Sequence, residues 1–206
     1  MAAIAVPELR RYAPDALRMV GIPLGQADEC ADMLVWTQAV TGGALAWLAA
    51  HRARLSWYPR PRARVVAESE SAAVVDARGG SLLELGVRIA DFARAEAAAH
   101  GTRVVRVRQV YGTVFLPYLI ARAAGRGTRI EADAPAAPLP GAHEPRGELT
   151  LRATAPVEPG EGLDTAAYRA AVDRGIALDD ADFTTVTSLF EMLRVPTSER
   201  SRSHAG

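Results

Sequence analysis

Apolar residues recur at helical intervals through the first quarter of the chain and at alternating intervals through its middle. Over residues 7–21, Leu9, Tyr12, Ala13, Leu17 and Val20 share one helical face, and Gly21 supplies a stop. A longer helix is predicted from 24 to 55, with Ala27, Cys30, Ala31 and Leu34 on its apolar stripe. Thr41-Gly42-Gly43 breaks or kinks it, because glycine pairs weaken helix interiors. Pro59 and Pro61 end the helical region.

The middle of the chain alternates strands and helices. β-branched runs at 63–68 and 72–76 predict strands, joined as a hairpin through Ser69-Glu70-Ser71. Arg78-Gly79-Gly80 then turns into a helix opened by a capping box, Ser81 with Glu84. That helix presents Leu82, Leu85, Ile89 and Phe92 to a core, sets Glu84 and Arg88 at i,i+4, and closes at His100-Gly101. A strand over 102–108 alternates Val105 and Val107 with Arg106 and Arg108, and a helix over 113–124 is stopped by Gly125. The last third is less regular: a short strand at 130–132, a Pro- and Ala-rich loop at 134–146 and a strand at 148–153. Helices at 164–174 and 182–193 follow, each with an acidic first turn. The pattern describes an α/β (α+β) fold, a helical N-terminal part (1–60) followed by an α/β core (61–195) with a mixed sheet flanked by helices. A polar tail (196–206) completes what reads as one compact domain.

Composition narrows the chemistry. The 206 residues contain no lysine and no asparagine, so all 24 basic residues are arginines against 24 acidic ones. Schiff-base, P-loop and kinase-type lysines are excluded. The single cysteine excludes an internal disulfide, and its place on the apolar stripe makes Cys30 a core residue. No apolar run approaches a membrane span, the longest of note being 114–121, and Met1 is followed by no basic n-region. A cytoplasmic protein without membrane or nucleic-acid partners is the expectation. The neutral total conceals an asymmetry: residues 1–130 hold 17 Arg against 11 Asp and Glu, and residues 131–206 hold 7 against 13. Opposed halves can attract within a fold or between subunits.

Four features carry candidate chemistry. The Arg78-Gly79-Gly80-Ser81 turn brings backbone N–H groups to a helix N-terminus, an anion-binding geometry, although the capping box uses some of them. Residues 51–64 interleave five arginines with Trp57 and Tyr58 and read as a solvated connector. His51, His100, His143 and His204 are scattered without metal-ligand spacing. Arg106, Arg108, Gln109, Tyr111 and Tyr118 cluster where a strand end runs into a helix, the favoured ligand position of open α/β sheets. Arg108 can hold a carboxylate with two parallel hydrogen bonds. Tyr111 is the acid/base candidate, although a phenol pKa near ~10 must fall before it works as a base at neutral pH.

These passages resemble the malate/L-lactate dehydrogenase family that lacks the Rossmann fold, with its ureidoglycolate and sulfolactate dehydrogenase relatives. That family follows a helical part with a strand ending A-V-V-D, a glycine turn, a helix ending H-G and a strand. An N-S-N-H-F-G turn and a helix ending A-G come next. Here Ala73-Val74-Val75-Asp76 leads without a gap to His100-Gly101, and Arg106-Val107-Arg108-Gln109-Val110-Tyr111-Gly112 stands at the turn. The next helix ends at Ala124-Gly125, and Asp32-Met33-Leu34-Val35 is similar to the family's second helix. The resemblance covers about residues 7–127.

Its departures set the functional expectation. The family's H-D-S-H-G segment falls on Thr41-Gly42-Gly43-Ala44-Leu45, and the histidine of its N-H-F-G turn falls on Val110. The nicotinamide-holding region of longer members is largely missing after Gly127. The ending Val195-Pro196-Thr197-Ser198-Glu199 resembles a shorter, related bacterial family with no assigned activity. The resemblance therefore implies a divergent dehydrogenase-like protein without ordinary hydride transfer, keeping a pocket for a small anionic, carboxylate-bearing metabolite. Tyr111 is the catalytic candidate; Arg106, Arg108 and Gln109, with Tyr118, Gly79 and Gly80, are the ligand set. No metal is expected, and NAD(P)H only if the shortened chain retains a site. Two alternatives stay open: a non-catalytic subunit pairing as a homodimer or with a full-length relative, and a cofactor-independent isomerase, lyase or cyclase.

Overall fold

A computed structural model describes residues 2–55, 62–135 and 144–193. Strand β1 (Ala2–Ile4) leads into α1 (Val6–Met19), which buries Val6, Leu9, Ala13, Ala16 and Leu17. Helix α2 (Leu24–Val40) is buried almost continuously from Cys30 to Gln38, as expected of a helix apolar on all sides. Cys30 lies in the core with its Sγ 3.1 Å from the Leu83 carbonyl oxygen. The glycine pair breaks the helical run: Gly42 and Gly43 adopt φ of +74° and +78°, and α3 (Ala44–Leu55) starts afresh. Gln38 bridges the break, its Oε1 accepting from Leu45 N at 3.0 Å and its Nε2 donating to Asp182 at 2.7 Å.

The hairpin forms as predicted from β2 (Arg64–Glu68) and β3 (Ala72–Asp76). Helix α4 (Leu82–His100) is capped by Ser81, whose Oγ accepts from Glu84 N and also touches Glu84 Oε2 at 2.9 Å. Strand β4 (Thr102–Val110) reaches two residues past its predicted end. A 3-10 turn (Thr113–Phe115) and α5 (Leu116–Ala124) follow, then β5 (Arg129–Asp133) and β6 (Gly147–Thr154). Helix α6 (Ala166–Arg174), β7 (Ile176–Leu178) and α7 (Asp180–Met192) complete the described chain. The last two helices begin where side chains cap them: Thr165 accepts from Tyr168 N, and Asp179 accepts from Asp182 N.

The main sheet runs β2-β3-β4-β6-β5, with β3 and β4 parallel across α4 and the other pairs antiparallel. One face buries Val75, Val105, Val107, Leu149, Leu151 and Ile130, and α4 and α5 pack against the sheet. Arg106, Arg108, Glu131 and Arg152 are exposed along β4, β5 and β6. Arg103 lies in the buried phase of β4 with Val105 and Val107, where its charge is met by an ion pair with Glu96 at 2.8 Å and a hydrogen bond donated to the Glu70 carbonyl. A second sheet, β1 with β7, was not predicted because strands this short show no alternation. A single core cluster joins the helical N-terminal part to the sheet. No helix among the described residues is long and apolar enough to cross a membrane.

Candidate functional site

Strands β3 and β4 run parallel to the register pair Asp76 and Arg108, and the turns that leave them are laced together. Ala77 N donates to Arg108 O at 2.9 Å, Gly79 N to Gln109 O at 2.8 Å, and Leu82 N to Tyr111 O at 2.7 Å. Arg78 and Gln109, at φ +52° and +55°, are the non-glycine residues with left-handed backbone among those described. Asp76 supports the first turn, its Oδ1 accepting from Arg78 N at 2.8 Å. An irregularity in the β4–β6 register between Val107 and Val110 supports the second. It leaves Arg108 and Gln109 exposed in succession and returns Val110 and Tyr111 to the interior.

The result is a groove of about 480 Å³ lined by Val66, Asp76, Arg108, Gln109, Arg146 and Glu148, within the small-ligand range. Arg108 is 3.5 Å from Glu148. Arg146 has no ion-pair partner among the described residues, and its guanidinium lies over Gly79. A Cβ at Gly79 would fall 2.6 Å from Arg146 Cζ, so the glycine leaves the room that Arg146 occupies. Of the ligand residues expected from sequence, Arg108 and Gln109 therefore meet in this groove, with Gly79 beneath Arg146. Arg106 is exposed on β4 but is not among the lining residues. Tyr118 is buried on α5, its ring edge against Trp36 at 5.7 Å.

The glycine turn is not a ready anion cradle. The N–H groups of Arg78, Gly79, Gly80, Leu82 and Glu84 each bond within the protein, to Asp76, Gln109, Ala77, Tyr111 and Ser81. At this helix start, a candidate anion site from sequence, those five donors are therefore already engaged within the protein.

Behind the groove lies a buried cluster invisible in the sequence. Trp47 stacks on His51 at 4.7 Å and on Tyr111 at 5.7 Å, and the Arg54 guanidinium sits 4.0 Å from the Tyr111 ring centre. Glu144 is 5 % exposed and fully engaged. Its carboxylate accepts from Gly112 N at 2.7 Å, Thr113 N at 3.1 Å, Thr113 Oγ1 at 2.8 Å and Trp47 Nε1 at 3.0 Å. It thereby caps the 3-10 turn leading into α5. Its backbone N–H donates to His51 Nε2 at 3.0 Å, and its carbonyl accepts from Arg54 at 2.9 Å. Because His51 Nε2 accepts, Nδ1 carries the proton toward Trp47 O at 2.9 Å and the ring is neutral. Part of the predicted solvated connector is thus core: His51 and Leu55 are buried, while 56–61, with Trp57 and Tyr58, lie outside the described residues. No local signal marks Glu144, whose partners lie 31 to 97 residues away.

Tyr111 is 2 % exposed. Burial, then the Glu84 charge, pushes its phenol up to about 12, against the pull of Arg54, a Ser81 hydrogen bond and Arg146. The shift runs opposite to the lowering that general-base work requires: the phenol keeps its proton at neutral pH and can only donate. Among the described residues no cluster of metal-ligating side chains occurs.

No family model matches the sequence, and no curated protein matches it. Solved structures do. A putative malate/lactate dehydrogenase from E. coli superposes with a TM-score of 0.72 over 98% of both chains at 10% identity. Malate dehydrogenase from Entamoeba histolytica gives 0.54 at 18% identity over 64% of this chain and 38% of its own. Sulfolactate dehydrogenase from Methanocaldococcus jannaschii gives 0.51 at 21% identity over 73% and 47%. The chain thus spans under half the length of the last two. Its fold is that of the malate/lactate dehydrogenase-like proteins.

Proposed function

We propose that the protein is a divergent member of this structural group that binds a small carboxylate-bearing metabolite and has lost ordinary nicotinamide-dependent hydride transfer. The carrying observation is the groove at the carboxyl ends of β3 and β4, where Arg108 and Arg146 flank about 480 Å³ of space. Malate, lactate and sulfolactate, in the names of the similar structures, are small carboxylates, which supports the ligand class. Loss of hydride transfer rests on the segment Thr41-Gly42-Gly43-Ala44-Leu45, which holds no histidine, and on Val110, both standing where the resemblance places histidines. Isothermal calorimetry with small carboxylates tests the reading. Arg108→Ala, at a half-exposed side chain, is expected to weaken binding about tenfold, the effect of losing ~1.4 kcal/mol, while leaving the fold intact. Unchanged binding removes Arg108 from the site, and tight NADH binding by fluorescence overturns the loss of cofactor chemistry.

A second reading, a subunit that pairs with its own kind, is favoured by β2. This edge strand is exposed at every position, and Val65 and Val66 are 47 % and 54 % exposed. A strict monomer by light scattering at micromolar concentration overturns it.

A further inference from the structure

We propose that the groove selects a zwitterionic α-amino acid over the hydroxy acid of the same shape. This inference rests on the carboxylate-binding reading above and names its ligand class. The lining side chains comprise two guanidiniums, Arg108 and Arg146, and two carboxylates, Asp76 and Glu148. Arg108 and Glu148 are 3.5 Å apart and form a solvent-exposed ion pair. That leaves one cation without an ion-pair partner among the described residues, Arg146, and one partly engaged anion. Asp76 accepts from Arg78 N through Oδ1, so Oδ2 is the oxygen left for a ligand.

A monoanion placed here would satisfy Arg146 and leave Asp76 facing added negative charge. A zwitterion meets both. Its carboxylate takes the planar Arg146 fork, and its positive nitrogen donates to Asp76, with Glu148 beside it. The groove is held in this form by its strained rim, since Gly79 N donates to the carbonyl of left-handed Gln109. It is also held by Glu144, two residues before Arg146, which is anchored through both carboxylate oxygens and both backbone groups. Arg146 is the carboxylate anchor, and Asp76 is the specificity residue that reads the nitrogen.

The test compares pairs of probes that differ only in nitrogen against hydroxyl: L-alanine with L-lactate, and L-phenylalanine with L-phenyllactate, by calorimetry on the full chain at neutral pH. The amino acid of a pair is expected to bind at least tenfold tighter than its hydroxy acid. Asp76→Asn keeps an oxygen for Arg78 N, so the turn persists; it is expected to remove that preference while sparing hydroxy-acid binding. Glu148→Gln, at an exposed side chain, provides a second variant and is expected to reduce the preference by a smaller factor. Arg146→Ala is expected to abolish binding of both probes with an unchanged circular dichroism spectrum. Equal or tighter binding of the hydroxy acids, or a preference that survives Asp76→Asn, overturns the zwitterion inference and leaves the carboxylate reading standing. Absence of binding by all four probes at millimolar concentration overturns both.

Discussion

Arg78 and Gln109 take left-handed backbone at a cost that glycine would avoid, and they do so on adjoining turns whose hydrogen bond joins them. Strain of this kind persists where surrounding contacts over-determine it, and here both residues rim the groove or its entry turn. At the same scale, burial acts on two phenols in one direction. Of five tyrosines, Tyr111 and Tyr118 are both pushed up to about 12, chiefly by desolvation. An unfolded phenol releases its proton near pH ~10. Between that pH and about 12 the folded chain holds protons that the unfolded chain has lost, so stability is intact below ~10 and falls as pH rises through this window. The fall is on the order of 2–3 kcal/mol per phenol. Denaturant midpoints measured from pH 9 to 12 are expected to drop, and Tyr111→Phe is expected to remove about half of the drop. A midpoint flat across the window contradicts the burial argument. Arg108 and Gln109 could be singled out beforehand because a strand end is visible in the alternation of β4. Glu144 and Arg146 could not, because only tertiary contact assigns a partner to an acid or a base in a proline-rich loop.

Among the elements, those with a strong local signal formed where the pattern put them: helical periodicity in α1, a capping side chain in α4 and β-branched runs in the β2–β3 hairpin. Elements set by partners did not. Strand β1 exists through β7, and the two are only three residues each. The end of α5 illustrates how close packing fixes an irregular segment. Gly125 lies in ordinary helical backbone at φ −63°, yet a Cβ there would fall 2.9 Å from the Gly162 Cα. Hydrogen bonds from Gly160 N to Ala124 O and from Val157 N to Gly127 O hold that segment against the helix. Gly125→Ala must push backbone from backbone and is expected to destabilise by about 1–3 kcal/mol in denaturant unfolding. Gly25, on α2 with nothing within 4 Å of its notional Cβ, is the control: Gly25→Ala is expected to be neutral or stabilising by up to about 1 kcal/mol. Equal effects at the two sites refute the contact.

For the whole molecule, the opposed charges of the two parts of the chain act partly within one fold. Strand β6, from the acidic part, pairs with β4 from the basic part and brings Glu148 to Arg108. The outer edge of β2 stays exposed. Its sequence, Arg64-Val65-Val66-Ala67-Glu68, is self-complementary in an antiparallel pairing of two copies, which sets Arg64 against Glu68 about a central Val66. If the subunit reading holds, light scattering is expected to give a dimer that Val66→Lys converts to monomer, because a charge at the centre of the pairing blocks it. A dimer untouched by Val66→Lys relocates the interface. The sequence by itself determined the order and type of most elements, the α/β class, the buried cysteine and an arginine-only set of cations, because periodicity, caps and composition are local properties. Tertiary structure decided that the glycine turn keeps its N–H groups for the protein, that Tyr111 is buried against Trp47 and Arg54, and that Arg146 and Asp76 face one groove. Each of those depends on segments tens of residues apart meeting in space, which no local pattern encodes.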